Sequence, residues 1–136
     1  MEREIKFRGK KLDKDEWVYG YLVHIGKYYS PLNESSCYIV TGVQIDSHTW
    51  VDPETVGQST GLKDKNGKEI WEGDIVSRGE YYFGDCLEPA GNDDVSFDDG
   101  CFFGGNGELD SANIHNKNIE VIGNIHSNPE LMEEKK

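Results

Sequence analysis

The acidic loop formed by residues 93–99 comes nearest to a chemical site in this sequence, since it carries two carboxylate pairs, Asp93-Asp94 and Asp98-Asp99. Carboxylate oxygens are the hard ligands that Mg²⁺ and Ca²⁺ prefer. The spacing does not follow the calcium-binding loop, and the last aspartate is explained by a turn with Gly100. Two interpretations stay open: a solvated acidic face, or a metal site that activates water for hydrolysis together with a histidine such as His115.

The other residue types that support catalysis or metal binding lack the spacing of a known motif. The three cysteines cannot all pair within one chain, and in a reducing compartment we interpret them as small buried apolar residues. The glycines of 57–61 and 104–107 lack the lysine and hydroxyl residue of a phosphate-binding loop, so we interpret them as turns. We therefore assign no catalytic, cofactor-binding or metal-ligating residue, and enzymatic activity is the weaker hypothesis. The residues considered are His24, His48, His115, His126, Cys37, Cys86 and Cys101.

The charge of the chain narrows the range of partners. Its 136 residues carry a formal net charge of −12, which repels a phosphate backbone. Direct binding to nucleic acid is not expected unless the lysines between Lys63 and Lys68 form a local patch. An acidic surface suits a basic protein partner, whose nucleic-acid-binding surface it could occupy as a decoy.

No stretch approaches the roughly 20 apolar residues of a membrane span, and the N-terminus lacks the apolar segment of a signal peptide, so we expect a cytoplasmic protein without membrane contact.

Alternating and β-branched stretches predict a chain of short strands. With 35% hydrophobic and 11% aromatic residues, the core is expected to rely on Trp17, Trp50 and Trp71. Gly20 interrupts one predicted strand and indicates a bulge. Residues 84–94 are expected to form an acidic loop. The predicted strands cover residues 4–8, 17–23, 37–45, 74–78 with continuation through 81–83, 95–98, 101–103 and 119–125.

Two dipeptides, Asn66-Gly67 and Asp99-Gly100, predict two-residue hairpin turns, because both central residues of a type I′ turn need positive φ. The first turn places Leu62 opposite Trp71, and the second places Phe97 opposite Phe102.

Helical signals are few in this sequence. Asp52 before Pro53 predicts a single helical turn that ends near Gly57. Asn128 before Pro129 predicts a short C-terminal helix.

Residues 56–76, which include Asn66-Gly67 and the turn signal at Gly73, together with residues 4–8 and 122–130, resemble the YopX family of bacteriophage and prophage proteins. The resemblance implies a mainly β, oligomeric phage or prophage protein, in a family without an assigned biochemical activity. It carries over no catalytic residue.

We therefore expect a mainly β fold of short antiparallel strands and hairpins. An N-terminal β subdomain covers residues 1–60, and strand count and turn spacing predict a small SH3-like barrel over 61–127. Residues 128–136 form a short helix or a disordered tail. The expected function is that of a phage accessory protein in the cytoplasm of its bacterial host, a non-enzymatic protein-binding module that self-associates and binds a host or phage protein. The metal-dependent hydrolase and the acidic decoy are the alternatives.

Overall fold

The computed structural model describes residues 5–26, 36–41, 48–105 and 107–132. The chain divides into two compact units, Met1–Ser59 and Thr60–Lys136. Within the described residues the fold is mainly β, with three antiparallel sheets and one short α-helix. The later part of the predicted strand 37–45 and the end of the C-terminal tail lie outside these residues. Among the described segments, no helix has both the length and the apolar character needed to cross a membrane.

The strands are short and most follow one another through tight turns. Two 3₁₀ turns and the helix α1 complete the described elements. In chain order these are β1 (Phe7–Lys10), β2 (Trp17–Ile25), β3 (Ser36–Val40), β4 (His48–Val51), the turn Pro53–Thr55, β5 (Gly57–Lys63), β6 (Glu69–Trp71), β7 (Asp74–Arg78), β8 (Tyr81–Phe83), β9 (Cys86–Glu88), β10 (Gly91–Asp98), β11 (Cys101–Gly104), β12 (Gly107–Glu108), α1 (Ser111–Asn116), β13 (Glu120–Asn124) and the turn Pro129–Met132.

The N-terminal unit is an antiparallel meander with the strand order β4-β3-β2-β1, and the first residues of β5 pair with β1. Its buried cluster consists of Cys37, Ile39 and Val51, and apolar side chains of β1 and β2 pack against it. The sheet curls, because Val51 forms a bridge with Lys11 and the Asp52 amide donates to the Lys10 carbonyl at 2.8 Å. One face of the meander thereby encloses a small core.

Gly20 lets two strands of this meander approach closely. The predicted bulge is wrong, since β1 and β2 pair in an unbroken register with Phe7 opposite Gly20. A Cβ at this position would lie 2.1 Å from the Val40 carbonyl oxygen. The glycine is therefore required by the close approach of β3 and not by an irregularity in β2.

Aromatic side chains lie on the other face of the N-terminal sheet. The Tyr38 ring packs between His48 and Trp50, with centroid separations of 5.2 and 5.1 Å. The guanidinium carbon of Arg8 lies 4.4 Å from the centroid of the Trp17 ring. Trp17 and Trp50 are half-buried, so they cover the sheet and do not form the core as expected. Trp71, the third tryptophan of that prediction, is buried.

The C-terminal unit contains a five-stranded sheet in the order β12-β11-β10-β7-β13. The central strand β7 carries the fully buried Ile75 and Val76. A bulge in β13 lies between Val121 and Gly123. Aliphatic side chains dominate the core, which contains Ile70, Val76, Val95, Leu109, Ile114, Ile119 and Val121, with Leu62 and Phe102 packed against it.

The predicted SH3-like barrel is not found, because the strands described here form no closed barrel. The five-stranded sheet ends at β12 on one side and at β13 on the other. Between these two strands the chain forms α1, which the sequence did not predict. Asp110 caps this helix by accepting from the Asn113 amide at 2.8 Å, and Ile114 anchors it in the core.

The two predicted hairpin turns differ in outcome. Asp99 and Gly100 both have positive φ, 52° and 82°, and Phe97 lies opposite Phe102 with the ring centroids 5.0 Å apart, so this prediction is confirmed. At the other turn only Gly67 has positive φ.

In the Asn66-Gly67 turn the Asp64 amide donates to the Lys68 carbonyl at 2.8 Å, and the Gly67 amide donates to the Asp64 backbone carbonyl at 3.0 Å. The loop therefore has three residues, and the predicted two-residue turn is wrong. A type I turn followed by a left-handed glycine is the usual form of a three-residue hairpin loop.

The predicted acidic loop 84–94 is also wrong over most of its length. Gly84, with φ of 64°, turns the chain into β9, and β10 begins at Gly91. Strand β8 pairs with β9 and does not continue β7 within the five-stranded sheet.

The helical signals are confirmed in part. The Asp52 side chain accepts from the Glu54 amide at 3.0 Å, but the turn ends at Val56 and Gly57 begins β5. The C-terminal turn exists as a 3₁₀ turn, where the Asn128 side chain accepts from the Asn124 amide at 3.3 Å and does not cap it.

Candidate interaction site

The acidic pairs singled out in the sequence lie in β10 and at the tip of the β10–β11 hairpin. The Asp93 carboxylate accepts from the Arg78 Nε at 2.7 Å, and Asp98-Asp99 lies at the tip of the β10–β11 hairpin. His115 belongs to α1. In the part of the chain that the structure describes, no three side chains of His, Cys, Asp or Glu are grouped so that they could hold a metal ion.

Two lysines, one at the end of β5 and one directly after it, form a limited basic patch. Lys63, Lys65 and His115 border a concavity of about 350 Å³. The Lys65 ammonium lies 3.8 Å from the Glu120 carboxylate, which offsets part of its charge. Asp64 lies between the two lysines in the sequence, and both of its carboxylate oxygens accept hydrogen bonds from backbone amides.

The Asp64 carboxylate fixes the β5–β6 turn to β13. Its Oδ1 accepts from the amides of Asn66 and Lys68 at 2.9 Å, and its Oδ2 accepts from the Val121 amide at 2.8 Å. Burial alone raises the pKa of the Asp64 carboxyl, but the three hydrogen bonds and the Lys68 charge lower it more, so its pKa lies below the ordinary value. The side chain, 6% exposed, therefore acts as a structural anion.

Asp64 should make the stability of the protein depend on pH in the acid range. An unfolded aspartate titrates at about 3.9 and the folded Asp64 lower, so the unfolded state binds more protons in that interval. This contribution is fully present above the unfolded pKa and is lost as the pH falls through the folded pKa. We expect the difference in free energy of unfolding between wild type and Asp64→Asn to shrink as the pH falls below about 4. Urea titrations at several pH values measure it, and a difference that does not change with pH would contradict the assignment.

The hairpin of β8 and β9 carries the two most exposed large apolar side chains among the described residues, and a third exposed one beside them. Tyr82 is 72% exposed, Phe83 77% and Leu87 52%. Tyr82 lies opposite Leu87 in the ladder, and the described strands add no third strand to this two-stranded sheet. Adjacent exposed apolar side chains of this kind mark interaction surfaces. We call β8, β9 and their turn the aromatic hairpin.

Tyr81 attaches the aromatic hairpin to its unit. The Lys117 Nζ lies 4.4 Å and the Arg78 guanidinium carbon 5.9 Å from the centroid of its ring. Arg78 is held in turn by Asp93 and by the carbonyl of Pro89. These cation–π contacts hold Tyr81, whereas the rings of Tyr82 and Phe83 are exposed.

A groove of about 560 Å³ runs along β8. Its lining consists of the consecutive residues 80–83 together with residues of β12 and α1 and Lys117, which follows α1. The lining thus contains two carboxylates, those of Glu80 and Glu108, and one ammonium, that of Lys117, which contacts the Tyr81 ring. The volume is within the range of ordinary ligand sites, and the lining combines aromatic rings with acidic groups.

The three cysteines differ in their exposure to solvent. Cys37 is buried, as predicted, and burial raises the pKa of its thiol. Cys86 and Cys101 are exposed, so their prediction as buried residues is wrong. Both belong to hairpin strands, where successive side chains alternate between faces.

The architecture defines a mainly β protein with two compact units and an exposed aromatic hairpin. A comparison with family models gives a match to the YopX protein family over residues 6–133. The chain therefore belongs to the YopX family, as the sequence motifs indicated. Among solved structures it is similar to the crystal structure of protein EF1440 from Enterococcus faecalis, with a TM-score of 0.60 and 28% identity, covering 96% of this chain and 99% of that one. No curated protein matches the chain significantly. Neither similarity indicates an activity.

Proposed function

We propose that this YopX family protein is a non-enzymatic protein-binding module of a phage or prophage, acting in the cytoplasm of its bacterial host, and that it self-associates. The observation that carries the proposal is the exposure of Tyr82, Phe83 and Leu87 on the aromatic hairpin. Burying one large apolar side chain contributes about 1.5–3 kcal/mol. Because the folded chain leaves three such side chains in water, a partner that covers them gains this free energy on binding.

The exposed strand edges of the aromatic hairpin favour pairing between two copies, whereas its negative charge opposes such pairing. A two-stranded sheet offers backbone edges to another chain. The acidic residues Asp85 and Glu88 of the hairpin, and Glu80 directly before it, repel their counterparts in a second copy, and salt screens that repulsion. Self-association through the hairpin should therefore strengthen as salt rises, whereas binding to a basic partner should weaken.

We expect the double substitution Tyr82→Ser with Phe83→Ser to weaken self-association by about tenfold or more, since exposed aromatic anchors dominate protein interfaces. Sedimentation equilibrium at several salt concentrations measures the association constant. Both side chains are exposed, so the fold should be retained, with a change in the free energy of unfolding within about 0.5 kcal/mol.

Tyr21→Ser is the matched control, because Tyr21 is a similarly exposed aromatic residue of the N-terminal unit, 62% exposed. It should associate like the wild type. A hairpin variant that associates as strongly as this control would show that the hairpin is not the contact surface. A wild-type protein that stays monomeric at all concentrations and salts would contradict self-association itself.

A further inference from the structure

We propose that the groove along β8 binds an extended, basic segment of a partner protein, which pairs with β8 as an added strand. This inference rests on the proposed function and specifies the chemistry of the partner. Strand addition is a recurrent form of peptide recognition, in which backbone hydrogen bonds supply affinity and alternate side chains supply specificity.

The position of the groove relative to β8 supports strand addition. Its lining includes the consecutive residues Glu80, Tyr81, Tyr82 and Phe83 but no residue of β9. The groove thus follows the edge of β8 that faces away from β9, and within the described chain β8 pairs with no other strand. The lining also includes β12, the terminal strand of the five-stranded sheet. A segment in this groove would therefore contact both β8 and β12.

The charges along the groove select a basic segment. Glu80 and Glu108 supply two carboxylates to the lining, and Glu88 lies opposite Tyr81 in the hairpin. Lys117 adds one positive charge to the lining, at its contact with the Tyr81 ring, so the two carboxylates outnumber it. The chain as a whole carries a net charge of −12, which raises the association rate of a cationic partner. A second copy of this acidic chain is therefore disfavoured as the occupant.

The side chains of β8 indicate that the segment also carries apolar residues. Tyr82 and Phe83 are neighbours in a strand, so their rings project from opposite faces of it. An added strand places residues beside both faces, where each ring can contact an apolar side chain. An alternation of basic and apolar residues fits this arrangement.

The test uses the full chain and three synthetic peptides of equal length. The first alternates lysine with valine, the second replaces each lysine by glutamate, and the third is the first with alternate backbone amides methylated. Calorimetric titration should give binding of the lysine peptide that weakens with salt. The glutamate and methylated peptides should each bind at least about tenfold more weakly, because one loses the charge match and the other the edge hydrogen bonds. The amide NMR signals of residues 80–83 and 107–108 should shift.

Substitutions in the protein locate the site. Glu80→Gln and Glu108→Gln should each weaken binding of the lysine peptide about two- to fivefold, as expected for exposed ion pairs. Glu130→Gln, an exposed glutamate outside the groove lining, should leave the affinity unchanged.

Equal binding of the methylated peptide, equal binding of the glutamate peptide, or no binding of any peptide would each overturn the inference. The proposed function is tested separately. If Tyr82→Ser with Phe83→Ser reduces self-association while no peptide binds, the binding module stands and the basic-segment inference fails.

Discussion

Replacing Asp64 by alanine is expected to lower the free energy of unfolding by about 3–4 kcal/mol, because backbone amides buried in the folded state lose a charged acceptor. The affected donors are the amides of Asn66, Lys68 and Val121, which hold the β5–β6 turn against β13. Urea denaturation followed by circular dichroism measures the loss. Asp64→Asn keeps one acceptor oxygen and should have a smaller effect.

Asp98→Ala is the control for this experiment, since Asp98 is an exposed aspartate at the tip of the β10–β11 hairpin. It should change the free energy of unfolding by less than about 0.5 kcal/mol. If Asp64→Ala is as mild as this control, the carboxylate does not fix the turn.

Gly20→Ala is expected to destabilise the N-terminal unit by about 3 kcal/mol, since a Cβ would lie 2.1 Å from the Val40 carbonyl oxygen and overpacking against backbone forces the strands apart. Hydrogen exchange of the β2 and β3 amides should show the effect most clearly, because these strands form the affected ladder.

Gly26→Ala provides the matched comparison. Gly26 follows the same strand and is exposed, and an added Cβ there meets no atom of the described residues within 4 Å. The substitution should leave the free energy of unfolding within about 0.5 kcal/mol of wild type. Equal stability of the two glycine variants would show that β2 and β3 can separate at little cost.

The sequence predicted turns well where the deciding chemistry is local. Asp99 and Gly100 adopt the paired positive φ angles that their residue types favour. At Asn66-Gly67 a third residue decided the outcome, because the Asp64 side chain accepts from two amides of the turn and so stabilises a longer loop.

Elements that depend on distant residues were harder to predict. The acidic residues around Asp93 predicted a solvated loop, because the sequence does not show that Arg78 of β7 pairs with Asp93. In the structure the Arg78 side chain forms an ion pair with Asp93 on the neighbouring strand β10. Helix α1 has only six residues, too few to show a helical period in the sequence. It is stabilised by the burial of Ile114 and the cap at Asp110.

The candidate site was visible in the sequence only as an aromatic run. Which of Tyr81, Tyr82 and Phe83 faces solvent is set by Arg78 and by Lys117. No alternation rule contains that information, because both cations come from other elements of the C-terminal unit.

The unequal burial of the thiols allows opening of the N-terminal unit to be followed in the unaltered protein. A maleimide or disulfide reagent should modify Cys86 and Cys101 at once, since both are exposed. Cys37, enclosed between Ile39 and Val51, should react only when that unit opens. The slow phase of thiol modification in the unaltered protein therefore reports the opening rate of the N-terminal core, whereas the fast phase reports nothing about it. Gly20→Ala should accelerate the slow phase and leave the fast phase unchanged.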